Sequence, residues 1–375
     1  MNNIVLITCN DHYVPKSIIA LNLFNKYNPK YTKVIIGTVF SDETKNLCKK
    51  FNVILKEIDL REDFYDLDKR PHGQQYPIEC FYHFYAYKLF IEYDFIIQIE
   101  PDIYTNKNID DIDFNLIKFI GGGYSELEFI RKFPSIIRDY EKIKEIYGEG
   151  DINQHRILGG VKIYNIKGLL DINFYDKIVE YYQTSLKIKA PICGDDSLMI
   201  MYQLLNPSHI YLLEPIFHVI YSLKNIINSD YNNISFFHST GPTQKYWKVK
   251  NSNTLAHDIQ RYFYDNTIEY IYNNFTIEFI KEYLPEIYIN INNVKIPFNY
   301  WHDQPFGIYH NFGDLITPYL LNKFCDKDTF KFDFSTKTKN PKIISCGSIM
   351  AWSNENTIVW GSGIRDIDQD INKGI

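Results

Sequence analysis

The chain has no run of about 18 apolar residues, so no membrane-spanning helix is expected. Its first residues, MNNIVLITCN, carry neither a basic start nor a small-residue cleavage site. They read as an opening strand and not as a leader. Cysteine is sparse: six in 375 residues (Cys9, Cys48, Cys80, Cys193, Cys325, Cys346), with no C-x-x-C pair. That leaves no basis for a zinc site or a disulfide framework, and a reducing cytoplasm is the expected location. Positive charge is not in excess, since 40 Lys and Arg stand against 46 Asp and Glu for a net −6. A dedicated nucleic-acid binder would normally show a basic face, so no nucleic-acid partner is expected. No G-x-G-x-x-G follows the first strand and no G-x-x-x-x-G-K-[ST] occurs, which removes the main support for dinucleotide and P-loop readings.

Apolar mass is plentiful. Hydrophobic residues make up 45% and aromatic residues 16% of the chain, enough for a substantial core, and the length allows two domains. The wealth of Asn, Ile, Lys and Tyr suits an AT-rich genome, such as that of a large DNA virus or an AT-rich microbe. In the viral case the cytoplasm is the host's.

The opening segment alternates strand and helix patterns. NIVLITCN, KVIIGTVF, VILKEIDL and FIIQIE read as strands, and VPKSIIALNLFNKY has helical apolar spacing. SDETKNLCKKFN begins with a Ser cap and acidic residues in its first turn. PIECFYHFYAYKLFIEY reads as one long aromatic helix. This alternation predicts a doubly wound α/β sheet. Further on, GGVKIYNI reads as a strand from Gly159-Gly160, GDDSLMIMYQLL opens a helix, and SFFHSTGPTQKYW is a strand running into a turn.

One stretch raises a chemical question. FIIQIEPDIYTNKNID ends a buried run in Glu100-Pro101-Asp102. Ligands of open α/β sheets bind at the carboxyl ends of strands. Residues i and i+2 of an extended chain point the same way, and two oxygen donors on one side suit Mg²⁺ or Mn²⁺. A solvated turn at the strand end is the other reading of the same three residues.

With these fragments in order, residues 1–250 resemble glycogenin-like glycosyltransferases of family 8, which have a GT-A fold. ITCNDHYVPKSIIALNLF resembles the family's first strand, loop and helix, and the resemblance implies that Thr8, Asn10 and Tyr13 hold the nucleotide base. YDFIIQIEPDIYTNKNID resembles the strand leading into D-x-D, RILGGVKIYNI the N-A-G-V strand, GDDSLMI the D-Q-D-x-L-N helix start, and HSTGPTQKYW the H-x-x-G-x-x-K-P-W segment. The sequence departs from the family where Glu100 stands for the first Asp and Leu158 for the Asn, and one extra residue lies between Gly241 and Lys245. The Arg that often precedes D-x-D corresponds to His83, with Lys88 a turn further on.

The resemblance implies a nucleotide-sugar donor, with a UDP-sugar favoured and a GDP-sugar as the alternative, a glycan or glycoconjugate acceptor, and retention at the anomeric carbon. It implies that Glu100, Asp102 and His238 hold Mn²⁺ or Mg²⁺, offsetting charge on the departing diphosphate. Lys245 and the Gly241 turn would reach the phosphates, and Gly159 and Gly160 would lie against the donor sugar. Asp195 and Asp196 open a helix, where carboxylates are favoured. One would orient the acceptor or stabilise charge at the anomeric carbon, or the pair is merely a cap and a first-turn acid.

Residues 251–295 read as a helical connector, and residues 296–375 resemble the N-terminal part of polysaccharide pyruvyltransferases. HNFGDLITPYLL and ISCGSI with NTIVWGSGI carry that likeness, through Gly313-Asp314, Gly347-Ser348 and Gly361-Ser362-Gly363. The expected whole is a GT-A domain followed by a partial second α/β domain that makes no pyruvyl transfer. Two other functions fit the same sequence: a pyruvyltransferase with an accessory N-terminal domain, and a non-catalytic nucleotide- or sugar-binding domain.

Overall fold

The computed structural model describes residues 1–64, 77–132, 134–188, 194–215, 217–220, 231–239, 245–249, 255, 258–285, 287, 342–344 and 357–359. The chain divides into two compact units, Met1–Tyr246 with Ser252–Ile271, and Trp247–Asn251 with Tyr272–Ile375. In the second, Lys342–Ile344 and Thr357–Val359 pair in parallel. The pyruvyltransferase-like positions Gly313, Asp314, Gly347, Ser348, Gly361, Ser362 and Gly363 lie outside the described residues.

The first unit begins as the alternation predicts. Strand β1 (Asn3–Thr8) leads through a turn of 3-10 helix to α1 (Val14–Tyr27), followed by β2 (Thr32–Gly37), α2 (Asp42–Lys50) and β3 (Ile54–Glu57). The Ser41 hydroxyl caps α2 by accepting from the Thr44 N–H, with Asp42 and Glu43 in the first turn and Lys49 and Lys50 in the last. β4 (Phe95–Ile99) runs into β5 (Ile103–Thr105). Then come β6 (Ile120–Phe129), α4 (Pro134–Tyr147), β7 (His155–Asn165), α5 (Ile166–Asp171), α6 (Phe174–Lys187) and α7 (Gly194–Leu205). β8 (Ile210–Leu213), β9 (His218–Ile220), β10 (Phe236–His238) and α8 (Asp258–Asn274) follow.

Among the described residues the main sheet has the order β3-β2-β1-β4-β7-β6-β8. β3 to β4 are parallel, with Leu6 opposite Val34 on one side and Gln98 on the other. β7 runs antiparallel to both β4 and β6. The sheet is thus mixed, not wholly parallel. β4 is buried along its whole length, as its continuous apolar run requires for an interior strand. On one face Ile4, Leu6, Val34, Ile36, Ile96 and Tyr164 form a core with Phe81, Phe84, Phe174 and Tyr202. Each such large side chain contributes roughly 1.5–3 kcal/mol by burial.

Two segments differ from the sequence reading. The expected long aromatic helix is a 3-10 helix, Ile78–Phe84, followed by a single α turn, α3 (Ala86–Leu89). Phe81, Tyr82, His83 and Phe84 are consecutive and all buried, so packing on every side decides the winding, not one apolar stripe. β6 has no counterpart in the sequence reading because Gly121, Gly122 and Gly123 erase its strand pattern. The structure needs glycine there: a Cβ on Gly123 would sit 2.7 Å from the His218 Cβ. β7 also begins four residues before Gly159, at His155. No helix among the described residues is long and apolar enough to cross a membrane.

Candidate active site

β4 delivers the first two site residues. The Glu100 N–H donates to the Gly160 carbonyl at 3.0 Å, ending the strand against β7. The Ile103 N–H donates back to the Glu100 carbonyl at 3.1 Å, closing a tight turn through Pro101 and Asp102. It is this turn, not an extended i, i+2 alternation, that brings the two carboxylates together. β5 pairs antiparallel with β10, placing Ile103 opposite His238. Phe263 of α8 packs against both strands, at 4.9 Å from the Tyr104 ring and 4.4 Å from the Phe237 ring.

The result is a cluster of Glu100, Asp102 and His238 whose ligand atoms all lie within 4.8 Å of one another. The His238 Nε2 is 3.3 Å from Glu100 Oε2 and 3.4 Å from Asp102 Oδ2. Lys245 makes a short ion pair with Asp102. Burial alone would lower the His238 pKa, yet Asp102 and Glu100 push it up to about 10. Burial would raise the Asp102 carboxyl, but His238 and Lys245 hold it well below the usual carboxylate range. Imidazolium and ammonium thus balance one buried acid, Asp102, and one half-buried acid, Glu100. Two carboxylates and an imidazole on a single spot form a donor set that suits Mn²⁺ or Mg²⁺. Gly160 makes the close approach workable. Its φ is +95°, and a Cβ there would lie 2.6 Å from His238 Nδ1.

A second cluster lies beside the next residue of β7. A Cβ on Gly159 would fall 2.2 Å and 2.3 Å from the two carboxylate oxygens of Asp196. Asp195 and Asp196 stand in the first turn of α7. Asp195 Oδ2 is 2.9 Å from His83 Nε2, while the other ring nitrogen is 2.8 Å from the Tyr164 hydroxyl. A carboxylate only accepts, so His83 donates through Nε2, and because burial favours the neutral ring its other nitrogen accepts from Tyr164. Burial, reinforced by Lys162, lowers the His83 pKa against the pull of Asp195. Lys162 is fully buried, 3.7 Å from Asp195 Oδ2 and 3.6 Å from Asp196 Oδ1. Asp195 is held low: burial opposes ionisation, but the His83 hydrogen bond and Lys162 outweigh it. Asp196 is raised, first by the partial loss of solvent around its carboxyl and then by Asp195 and Glu100, with Lys162 pulling the other way. The Asp196 side chain is 41% exposed and that of Asp195 16%, so Asp196 is the one open to solvent.

Thr8 closes β1, and Asn10 and Tyr13 follow in and around the 3-10 turn. Because β1 neighbours β4 in parallel, this loop lies at the same end of the sheet as Glu100. Asn10 Oδ1 is buried with no hydrogen-bond partner among the described residues. Tyr13 is half-buried and its phenol acts electrostatically on Lys245. Lys88 is engaged elsewhere, pairing with Asp176 at 3.0 Å across the Tyr175 ring. Gly241 lies outside the described residues.

Lys162 and Tyr164 were not singled out by sequence reasoning. The signal for Lys162 was present: a lysine at an interior position of the apolar strand GGVKIYN. His218 was missed too. It is buried on β9, stacked 5.6 Å from the His238 ring, with neither ring nitrogen hydrogen-bonded among the described residues.

By sequence, no family model and no curated protein matches this chain. By structure, it is similar to an active-site mutant of LgtC at TM-score 0.56 and 14% identity, covering 75% of this chain and all of that one. The galactosyltransferase LgtC in complex with donor and acceptor sugar analogues aligns at TM-score 0.53 and 15% identity, again over 75% of this chain and all of that one. The bifunctional glycosyltransferase WbbM aligns at TM-score 0.52 and 14% identity, over 77% of this chain and 51% of that one. At such identities the likeness is one of architecture, and the architecture is the GT-A fold of glycosyltransferases.

Proposed function

We propose that the chain is a metal-assisted glycosyltransferase that moves a sugar from a nucleotide diphosphate donor to a glycan acceptor. One observation carries the reading. Two adjacent glycines of β7 leave room for two different groups, Gly160 for His238 of the candidate metal cluster and Gly159 for Asp196 of the acid pair. The two clusters therefore meet across two residues of backbone in the middle of β7. A donor needs that juxtaposition, with its diphosphate at one cluster and its anomeric carbon at the other. The likeness to LgtC, a galactosyltransferase whose structure holds donor and acceptor analogues, supports the same assignment.

In this reading Glu100, Asp102 and His238 hold Mn²⁺ or Mg²⁺, which when bound offsets negative charge on the leaving diphosphate. Lys245, freed from Asp102, turns its ammonium to the same phosphates. Thr8, Asn10 and Tyr13 hold the base, with the Asn10 carbonyl offering an open acceptor. Asp196 faces the sugar and orients the acceptor hydroxyl or stabilises charge at the anomeric carbon, with retention as the expected outcome. Asp195 is tied to His83 and fixes the start of α7.

A panel of nucleotide sugars, followed by thermal shift with Mn²⁺ and with EDTA, tests the reading. At a hundredfold excess over Kd a ligand adds about 2.7 kcal/mol of stability. A UDP- or GDP-sugar that stabilises only with metal, and is then hydrolysed or transferred, is the expected result. Equal stabilisation in EDTA removes the metal role, and binding without turnover in the presence of acceptors makes the domain a binding module.

A further inference from the structure

Lys162 is an unusual residue for its place. It sits inside β7 between Val161 and Ile163, both fully buried, and is itself 0% exposed. Its ammonium has no hydrogen-bond partner among the described residues. A buried cation of this kind is costly to desolvate, and here the offset comes from facing carboxylates and not from close hydrogen bonds. What the ammonium does have is two carboxylates at nearly equal distance, Asp196 at 3.6 Å and Asp195 at 3.7 Å. Its register partner on β4, Gln98, brings only a neutral amide.

The other side of the acid pair explains why a cation is needed. The His83 ring spends its one N–H on Asp195 and its lone pair on the Tyr164 hydroxyl, which is the bonding of a neutral imidazole. It orients Asp195 but brings no charge. Without Lys162, two adjacent carboxylates would face Glu100 with Arg156, on the outer part of β7, as the remaining cation acting on Asp196.

We propose that Lys162 is a positioning residue of the candidate active site, its buried ammonium clamping Asp195 and Asp196 so that the Asp196 side chain is held over Gly159 toward the donor sugar. The inference rests on the glycosyltransferase reading above and deepens it. Lys162 stands nearest the acid pair, with Glu100 as a weaker partner, so its removal acts first on the sugar side.

The test uses the full chain and a donor that the parent turns over. Lys162→Met keeps an unbranched apolar stem, one atom shorter, and removes the charge. Donor Kd in Mn²⁺ is expected to stay within about threefold of the parent, while kcat for donor hydrolysis or transfer falls about 10²-fold, as for loss of one electrostatic stabiliser. A second variant, Lys162→Leu with His83→Arg, shortens the strand residue and places a permanent cation on the opposite side of Asp195. It is expected to recover at least tenfold of the loss, which packing alone would not do. Unchanged turnover in Lys162→Met refutes the inference. So does a parallel loss of donor affinity and turnover in Lys162→Met that the charge swap leaves unrepaired, since that marks a purely structural lysine. A parent that neither binds nor turns over any nucleotide sugar refutes the glycosyltransferase reading and this inference with it, whereas an active parent matched by Lys162→Met refutes this inference alone.

Discussion

Gly160→Ala separates steric exclusion at the candidate metal cluster from ordinary backbone strain. The native φ of +95° is one that an L-residue adopts only with strain, about 1–2 kcal/mol. The added Cβ would also meet His238 Nδ1 at 2.6 Å and Ile103 Cδ1 at 3.2 Å. Ordinary contact begins near 3.4 Å, so the imidazole or the strand must yield by 3.4 − 2.6 = 0.8 Å. A ligating group has to be held to within about 0.5 Å, so a shift of this size takes His238 out of reach of an ion shared with Glu100 and Asp102. Gly148 supplies the control, because its φ is +86° yet a Cβ there meets nothing within 4 Å. Both variants are expected to lose about 1–2 kcal/mol of stability from the backbone alone. Only Gly160→Ala is expected to lose Mn²⁺ affinity, by tenfold or more, which corresponds to at least about 1.4 kcal/mol. Urea unfolding of the metal-free proteins measures the first effect and Mn²⁺ titration calorimetry the second. If Gly160→Ala binds Mn²⁺ like the parent and is no less stable than Gly148→Ala, the close packing of β7 on His238 is not what holds the cluster.

Asp195→Asn and Asp196→Asn are expected to part company. The former breaks a buried charge pairing and lowers the melting temperature, since leaving a buried partner unsatisfied costs about 1–3 kcal/mol. The latter, being half-exposed, keeps its stability but loses about 10²–10³-fold in kcat with donor affinity intact, and equal turnover in both variants and the parent would show the sugar side to be misplaced. Metal binding is expected to depend on pH through His238. Its folded pKa of about 10 exceeds its ordinary 6.5, so in the metal-free protein its contribution to stability is full below 6.5 and is lost as pH rises through 10. An ion must displace that proton, so Mn²⁺ affinity rises with pH and about one proton is released per ion near pH 7, read by calorimetry in buffers of different ionisation heat. No release would mean His238 is already neutral or is no ligand. Tyr13→Ala is expected to weaken nucleotide binding by roughly 1–3 kcal/mol with little change in melting, by analogy with base–aromatic stacking, and a melting collapse with unchanged affinity would instead make Tyr13 a packing residue.

Much of the first unit was legible because its patterns are local. A strand that is apolar throughout and stops at Glu100-Pro101-Asp102 announces its burial and the place where two acids gather, and the Ser41 cap with acids behind it marks the start of α2. Asp195 and Asp196 were readable as a helix start for the same reason. Other features exist only as contacts between distant segments. The 3-10 winding of Ile78–Phe84 follows from burial on all sides, which no single-segment periodicity encodes. β6 is a strand because its three glycines let β9 and neighbouring side chains come close, while the same glycines hide it from propensity. The antiparallel register of β5 with β10 joins residues more than a hundred positions apart, and only that register carries His238 to the Glu100–Asp102 turn. Lys162 shows the limit most clearly. Its strand position was legible, but its partners come from α7, and a charge acquires a role only when folding removes the water that would otherwise screen it from the two carboxylates it faces.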